Sequence, residues 1–564
     1  MQRDPERLAS GDFDVLVIGG GITGACVAHD AALRGLSVAL VEKGDFGGAT
    51  SAASSRLLHG GIRYLQQGRV DKLRESAIER AAFQTIAPHL TRYVPFVIPT
   101  YGGLARGRLA LSAGVRLYDW LTAGPNRRIR DRAKQVPRSS RYSAADLHRV
   151  VGAVAGGSAP TGAQVIHESQ MYSSERMTLA FVKSAASRGA AVANYVGART
   201  LLRTGGRVAG AAVRDELSGR EFEVAARLTV NAAGPWMGRV DGGIAGGSLD
   251  RRITGFSRGA HIVTRSLFDD VAIALPTRRQ ARAVVTRGGR HVFVMPWRGH
   301  SLIGTSDHPF EGTPDDVRPT ARDVTDLIDD VTRALPGAEI GPEDVRYAFA
   351  GLYPLTDDAL KADVYQGTGD YQIVDHARRD GVEGCLSVLG AKFTTARRVA
   401  ERAVDVALEK LKRPAVPCRT SDTPLAGGEI SDLAGFEEAV ARKWPDMDGA
   451  LARHLVSAYG TEIDDLLAVC REQTGWRRLA PERAAIEGEV HFAVDREMAV
   501  RLEDVIFRRT GLGTLGHPGD GCLRRCADII GIRLGWTADR VADEIRRTEL
   551  LFAVGSPAVR SPGR

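Results

Sequence analysis

Short unbroken apolar runs alternate along this chain with stretches whose apolar residues recur every three or four positions. The first run, Val15-Leu16-Val17-Ile18, stops at Gly19 and predicts a strand buried on both faces. Helical spacing follows over 22–34, and "LSVALVE" predicts a second strand that ends at Glu42. Two later strands also break into small residues. One is "RLTVNAAGPWMG" (227–238); the other, "CLSVLGAKFTTARRVAERAVD" (385–405), breaks at Gly390 and opens a helix at Thr394 or Thr395. Strands alternating with helices place the chain in the α/β class. "HVFVMPW" and "HSLIGTSD" read as antiparallel strands paired across Arg298-Gly299. Residues 104–124 carry apolar positions at helical spacing with arginine on the polar side. That pattern predicts an amphipathic helix, packed on a neighbouring unit or lying on lipid. A Pro/Gly/Ser/Thr-rich stretch over 411–429 reads as a linker, and the segments beyond it are helical by periodicity.

Length and charge narrow the classes. At 564 residues the chain is too long for one core, so two or three units are expected. A composition of 43% apolar and 26% charged residues is that of a globular protein. No apolar run reaches the roughly 18 residues a membrane-spanning helix needs. Residues 1–11 lack the apolar stretch of a signal peptide, so a cytoplasmic protein is expected. The six cysteines are scattered without a CxxC pair, which indicates neither a metal site nor a disulfide framework. A net charge of +8 suits an anionic substrate or a lipid surface. No basic block with interleaved aromatic residues marks a nucleic-acid site, and no nucleic-acid partner is expected.

The chemistry starts at the glycines. Gly19, Gly21 and Gly24 form G-x-G-x-x-G directly after a strand. Gly19 permits the tight turn, Gly21 admits a pyrophosphate to the backbone, and Gly24 lets helix pack on strand. The N–H groups at Ile22 and Thr23 then point at that phosphate. Glu42, 18 residues past Gly24, is placed to accept hydrogen bonds from both ribose hydroxyls. A nicotinamide-binding domain would pass straight to its next helix. Here "KGDFGGATSAASSRLLHGGIRYLQQG" instead offers small side chains and many backbone donors. Together with 227–238 and 385–405, that stretch makes three separated segments for one long cofactor, which fits FAD better than NAD.

On these residues the chain resembles the FAD-dependent glycerol-3-phosphate dehydrogenases, within the D-amino-acid-oxidase-like flavoproteins. The carrying motifs are "GGGITG", "SSRLLHGGIRYLQ", "NAAGPW", "GAHIV", "FVMPWRGHSLIGTSD", "GLYPL", "GAKFTTARRVAE" and "FRRTGLG". The resemblance implies a glutathione-reductase-like FAD-binding Rossmann domain with an α+β substrate cap and an all-α C-terminal domain. The oxidoreductase unit would cover 12–412, with FAD-binding segments near 12–95, 160–250 and 345–412 and the cap near 251–344; the helical unit would cover 425–555. FAD would be held without a covalent bond. Gly19, Gly21, Gly24 and Glu42 would bind its AMP half, and Ile22, Thr23, Lys43 and Val196 would also touch the cofactor. Thr50, Ser51, Ser54 and Ser55 would line its pyrophosphate and ribityl chain, and Ala233, Gly234 and Pro235 would close over it. His59, Gly60 and Gly61 would shape the turn beside the flavin. Gly390, Lys392, Phe393, Thr394 and Thr395 would sit at the flavin end, where a lysine and a helix N-terminus stabilise negative charge.

The implied reaction is oxidation of a secondary alcohol, most simply sn-glycerol 3-phosphate to dihydroxyacetone phosphate, with electrons passed to a quinone or another acceptor. His261 would be the base, Lys392 and Arg63 would share the catalytic site, and Arg63, Tyr64 and Tyr353 would line the substrate pocket. Family members sit peripherally at the cytoplasmic face of the membrane; peripheral contact and a homodimer stay open for this chain. The family pattern breaks at three places. Tyr353 and Gly369 stand where arginines are usual, and Ser173 and Ser174 stand where two acids are usual. Each charge-assisted bond to a phosphate is worth about 1.5–3 kcal/mol. Two lost arginines therefore favour a different polyol or polyol phosphate unless Arg56, Arg258 or Arg397 compensates. An amine or amino-acid oxidase of the same fold is a further alternative.

Overall fold

The computed structural model describes residues 1–554 except 67, 103–107, 155–158, 243, 245–252, 277–290, 357–370 and 391. Six strands build the first sheet: β1 (Asp12–Ile18), β2 (Val38–Val41), β3 (Ala191–Ala193), β4 (Glu221–Asn231), β5 (Gln372–Asp375) and β6 (Cys385–Leu389). Their order is β5-β6-β4-β1-β2-β3, with every pairing parallel except β5 with β6, and a hairpin (Val196–Thr204, Arg207–Asp215) extends from β4. The apolar runs form these strands because both faces are covered: Val15, Leu16 and Val17 are each at most 1% exposed. Helix α1 (Ile22–Leu33) crosses from β1 to β2 and packs against the helices Ser174–Ser187 and Ala396–Lys410. The carboxyl ends of β1, β4 and β6, neighbours in the sheet, bring Gly19, Ala232 and Gly390 to one edge.

The second sheet has ten strands and centres on Ile253–Arg265, which pairs antiparallel with both His300–Gly304 and Val345–Thr356. The hairpin expected across Arg298-Gly299 is present. Thr91–Thr100, Gly162–Met171 and Val345–Thr356 also belong to this sheet, so its strands reach beyond residues 251–344. Local pattern does not reveal that membership, because strand partners are chosen across long stretches of chain. Helix Ala321–Ala334 packs on this sheet and buries Leu327 and Val331. Beyond Lys410 no regular element forms until helix Leu433–Lys443, after which helices run to Glu549 around their own apolar clusters.

Candidate functional site

The glycine turn is fixed by sterics. Gly19 has φ +106°, and a methyl there would lie 2.6 Å from the Ala232 carbonyl oxygen. A methyl on Gly24 would lie 1.9 Å from the Gly19 carbonyl oxygen, so the helix closes on the strand as the pattern requires. At the N-terminus of α1 the Ile22 N–H donates to Ser51 Oγ at 2.9 Å. That bond draws the 48–55 loop over the turn. The half-buried Glu42 carboxylate accepts from Gly20 N–H (2.7 Å) and Gly44 N–H (2.8 Å). Burial pushes its pKa up, against the pull of those two donors. Each oxygen keeps a second lone-pair direction for a ribose hydroxyl. Val196 donates its N–H to the Glu42 carbonyl oxygen at 2.8 Å, and its side chain is in the core. Lys43 leans outward, bonded to Asp315 at 2.6 Å and lying over the Trp236 ring at 3.7 Å.

The three segments meet here. A methyl on Gly390 would lie 2.5 Å from Thr23 Oγ1, so the end of β6 abuts the start of α1. Thr394 and Thr395 are buried, and Thr395 is the N-cap of helix Ala396–Lys410. Phe393 packs against Phe83 at 6.2 Å between ring centroids. Lys392 Nζ lies 4.1 Å from the centre of the Tyr64 ring. Gly234 has φ +53°, and a methyl there would meet nothing within 4 Å. Open glycines, a helix N-terminus and a half-buried carboxylate on the ribose side fit a dinucleotide. His59 is tilted against Tyr64 at 6.5 Å. Gly60 donates its N–H to Glu168 at 2.6 Å, and a methyl on it would strike Tyr118 Oη at 1.9 Å. Gly61, at φ +82°, completes that tightly packed turn. Arg63 stands on the short helix Ile62–Gln66.

His261 has one face of the second sheet. Register sets His261 opposite Phe349, Gly259 opposite Gly351 and Ser257 opposite Tyr353, so these side chains share a face. The imidazole stacks on Phe349 at 5.1 Å and 11°, and its Nε2 is 2.9 Å from Ser55 Oγ. A methyl on Gly304 would lie 2.0 Å from His261 Cδ2, and one on Gly351 would lie 2.8 Å from Ala53 Cβ. Two glycines therefore let the ring and the 48–55 loop settle on this sheet. Thr50 Oγ1 donates to the Leu352 carbonyl at 3.3 Å, and Ser54 Oγ accepts from Arg56 N–H at 3.2 Å. Phe349, Gly304 and Gly351 were missed as functional positions. Only the glycines, inside "IGTSD" and next to "LYPL", carried any signal.

The three arginines that could replace lost phosphate ligands are engaged elsewhere. Arg56 is buried in a fork on Glu175, at 2.5 and 2.7 Å, with Ser174 also bonded. Arg397 forks on Glu79, at 2.6 and 2.8 Å. Arg258 alternates away from the His261 face and pairs with Asp323 of helix Ala321–Ala334 at 2.9 Å. Gly369 lies outside the described residues.

Comparison with known proteins agrees with this layout. Residues 14–403 match the family described as FAD dependent oxidoreductase, and 418–541 match the C-terminal domain of alpha-glycerophosphate oxidase. The chain is 34% identical to glycerol-3-phosphate dehydrogenase of Synechocystis sp., over 95% of each chain. It is 34% identical to glycerol-3-phosphate dehydrogenase 1 of Mycobacterium tuberculosis, over 89% of this chain and 92% of that one. Among solved structures, the glycerol-3-phosphate dehydrogenase from Bacillus halodurans complexed with FAD superposes with a TM-score of 0.75 at 24% identity. That match covers 99% of this chain and 97% of that one, and it shows the fold.

Proposed function

The chain belongs to the FAD-dependent glycerol-3-phosphate dehydrogenases, and from that premise we propose that it oxidises sn-glycerol 3-phosphate to dihydroxyacetone phosphate. Bound FAD supplies the acceptor for the carbon-bound hydride. The substrate hydroxyl gives its proton to Nε2 of His261, the atom that Ser55 Oγ meets at 2.9 Å. Phe349 and Gly304 hold the imidazole plane, and Ser55 sets its rotation. Lys392 and the N-terminus of helix Ala396–Lys410 supply positive charge at the flavin end. Lys392 meets the substrate phosphate, since Arg56, Arg258 and Arg397 already hold carboxylates, and Arg63, whose side chain lies outside the described residues, is the second cation of the proposal. Tyr64 and Tyr353 line the pocket. The observation that carries this reading is the Ser55–His261–Phe349 arrangement on a loop that Ser51 ties to the glycine turn. Anaerobic titration of the FAD-loaded protein with glycerol 3-phosphate should bleach the yellow flavin band. A band left intact by glycerol 3-phosphate would overturn the reading.

A second reading is favoured by the engaged arginines and by Tyr353 on the His261 face: the preferred substrate is a polyol or polyol phosphate other than glycerol 3-phosphate. Bleaching by such a polyol at concentrations where glycerol 3-phosphate gives none would establish it. The proposal extends to two units, 12–412 and 425–555, to a quinone as electron acceptor and to a homodimer. It also includes peripheral contact with the inner face of the cell membrane. Among the described residues no helix is long and apolar enough to cross a membrane. Helix Arg108–Asn126 exposes Leu117 (45%) and Trp120 (71%) beside Arg116, a face suited to an anionic lipid surface. Flotation with anionic liposomes tests the contact, and light scattering tests the dimer.

A further inference from the structure

The motif "FRRTGLG" runs on past its arginine pair into a glycine-rich loop. After helix Asp504–Arg509 the chain turns through 510–516, with Gly511 at φ +66° and Gly516 at φ +108°. Both glycines give way to arginine. A methyl on Gly511 would lie 2.5 Å from Arg298 Nη1, and one on Gly516 would lie 3.0 Å from Arg346 Cβ. Carbonyls of the loop meet arginine as well. Arg298 donates to the Thr510 oxygen at 3.4 Å, and Arg483 donates to the Leu515 oxygen at 3.2 Å.

Separate elements deliver these cations. Arg298 stands in the hairpin turn of the second sheet, over the Tyr172 ring at 4.6 Å. Arg346 is the extra residue of a bulge, since Val263 faces Tyr347 while Thr264 faces Val345. Arg483 precedes helix Glu487–Glu497. His300 joins them, its Nδ1 lying 3.1 Å from the Arg298 carbonyl oxygen.

No carboxylate closes the group. Among the described residues Arg298, Arg346 and Arg483 form no ion pair, and Arg298 and Arg483 each use one of the five N–H donors of a guanidinium. Asp344, near Arg346, is bonded to Arg265 at 2.9 Å, and Glu482 beside Arg483 is exposed. The like charges act on one another. Burial lowers the Arg483 pKa, and Arg298 and Arg346 lower it further, against Glu482 and Cys522. Burial and the same three arginines lower the pKa of His300. An anion seated among them would relieve that repulsion and take up the spare donors.

We propose that Arg298, Arg346 and Arg483, set against the 510–516 loop, bind the diphosphate group of a small soluble metabolite. Their forks match phosphate oxygens, and their summed charge exceeds that of a single phosphate, about −1.5 to −2 at pH 7. Arg298 and Arg483 are half-buried, within reach of a small free anion rather than of a flat lipid surface. The occupant bridges the second sheet and the helical C-terminal unit, so it stabilises the folded chain.

The probe is inorganic pyrophosphate, and the protein is the full chain with FAD already filling the glycine turn. Calorimetric titration should show saturable binding. Arg346→Gln should weaken it about tenfold or more, and Arg346→Lys should retain most of it. Arg346 is exposed, so its replacement leaves the fold intact. Arg322→Gln, at another exposed arginine, should leave binding unchanged. Sulfate should bind about tenfold more weakly than pyrophosphate, having no second group for the third arginine. Pyrophosphate should raise the melting temperature of the wild type and leave that of Arg346→Gln where it was. Absence of saturable pyrophosphate binding would overturn the proposal, even if Arg346→Gln weakened capture on phosphatidylglycerol vesicles. Equal affinities for wild type and Arg346→Gln, or for sulfate and pyrophosphate, would overturn it too.

Discussion

At Gly304 the fold leaves no room for a methyl, because the His261 ring occupies that space at 2.0 Å. Gly304→Ala should push the imidazole off its stack on Phe349 and lower kcat about a hundredfold, since misplacing a reacting group by an ångström has an effect of that size. Flavin content should stay unchanged, and absorbance of the purified variant alongside steady-state rates checks both. The sequence offered His261 as the candidate base, the histidine of "SRGAHIV" and one of thirteen in the chain. Its neighbours were not legible there. Phe349, 88 residues further along the chain, reaches it through strand register, which no local pattern encodes. The arginines teach the same lesson in reverse. Sequence presents Arg56 as a free cation beside the serine-rich loop; Glu175 claims it, and that acid replaces neither of the two missing ones position for position.

Between elements, the docking of helix Ser174–Ser187 on helix Glu487–Glu497 depends on a buried charge. Arg176 forks on Glu497 at 2.9 and 3.0 Å, and Lys183 adds a third bond at 2.9 Å. Burial alone would raise the Glu497 pKa; Arg176, Lys183 and Arg509 overcome it and hold the group at about 2 rather than 4.5. The folded pKa is depressed, so this contribution to stability is present in full above pH 4.5 and is lost as pH falls towards 2. Its size is about 3 kcal/mol. Thermal melting across that range should show a steep fall for the wild type. Glu497→Gln should melt lower at neutral pH, because Arg176 loses its partner, and should show a shallower acid slope. The elements themselves were largely readable: the β1–α1–β2 unit and the hairpin at Arg298-Gly299 form where the pattern puts them, and helices follow the linker, but the helical run expected over 490–513 breaks at Met498, φ +56°, between Glu487–Glu497 and Asp504–Arg509. Membership of Thr91–Thr100 and Gly162–Met171 in the second sheet was not, since it depends on pairing rather than on pattern.

Across the whole molecule the helical C-terminal unit holds the cofactor side of the first sheet in place. Arg508 and Arg509 both bond Asp45, three residues beyond Glu42, and Asn194 adds a further bond at 2.9 Å. Ending the chain at residue 412 would remove the partners of Asp45 and Arg176 and uncover the core that Leu425 and Met498 complete, so the shortened protein should neither fold cooperatively nor retain FAD. Circular dichroism melting and flavin absorbance of the purified fragment check this. The central claim joins all three scales: segments from distant parts of the chain place His261 beside an alcohol whose carbon-bound hydrogen leaves with its electrons. Single-turnover reduction with glycerol 3-phosphate carrying deuterium at C2 tests it most directly. The account predicts flavin bleaching slowed by deuterium, and slowed about a thousandfold by His261→Ala with FAD still bound. Bleaching that is indifferent to both deuterium and His261 would contradict it.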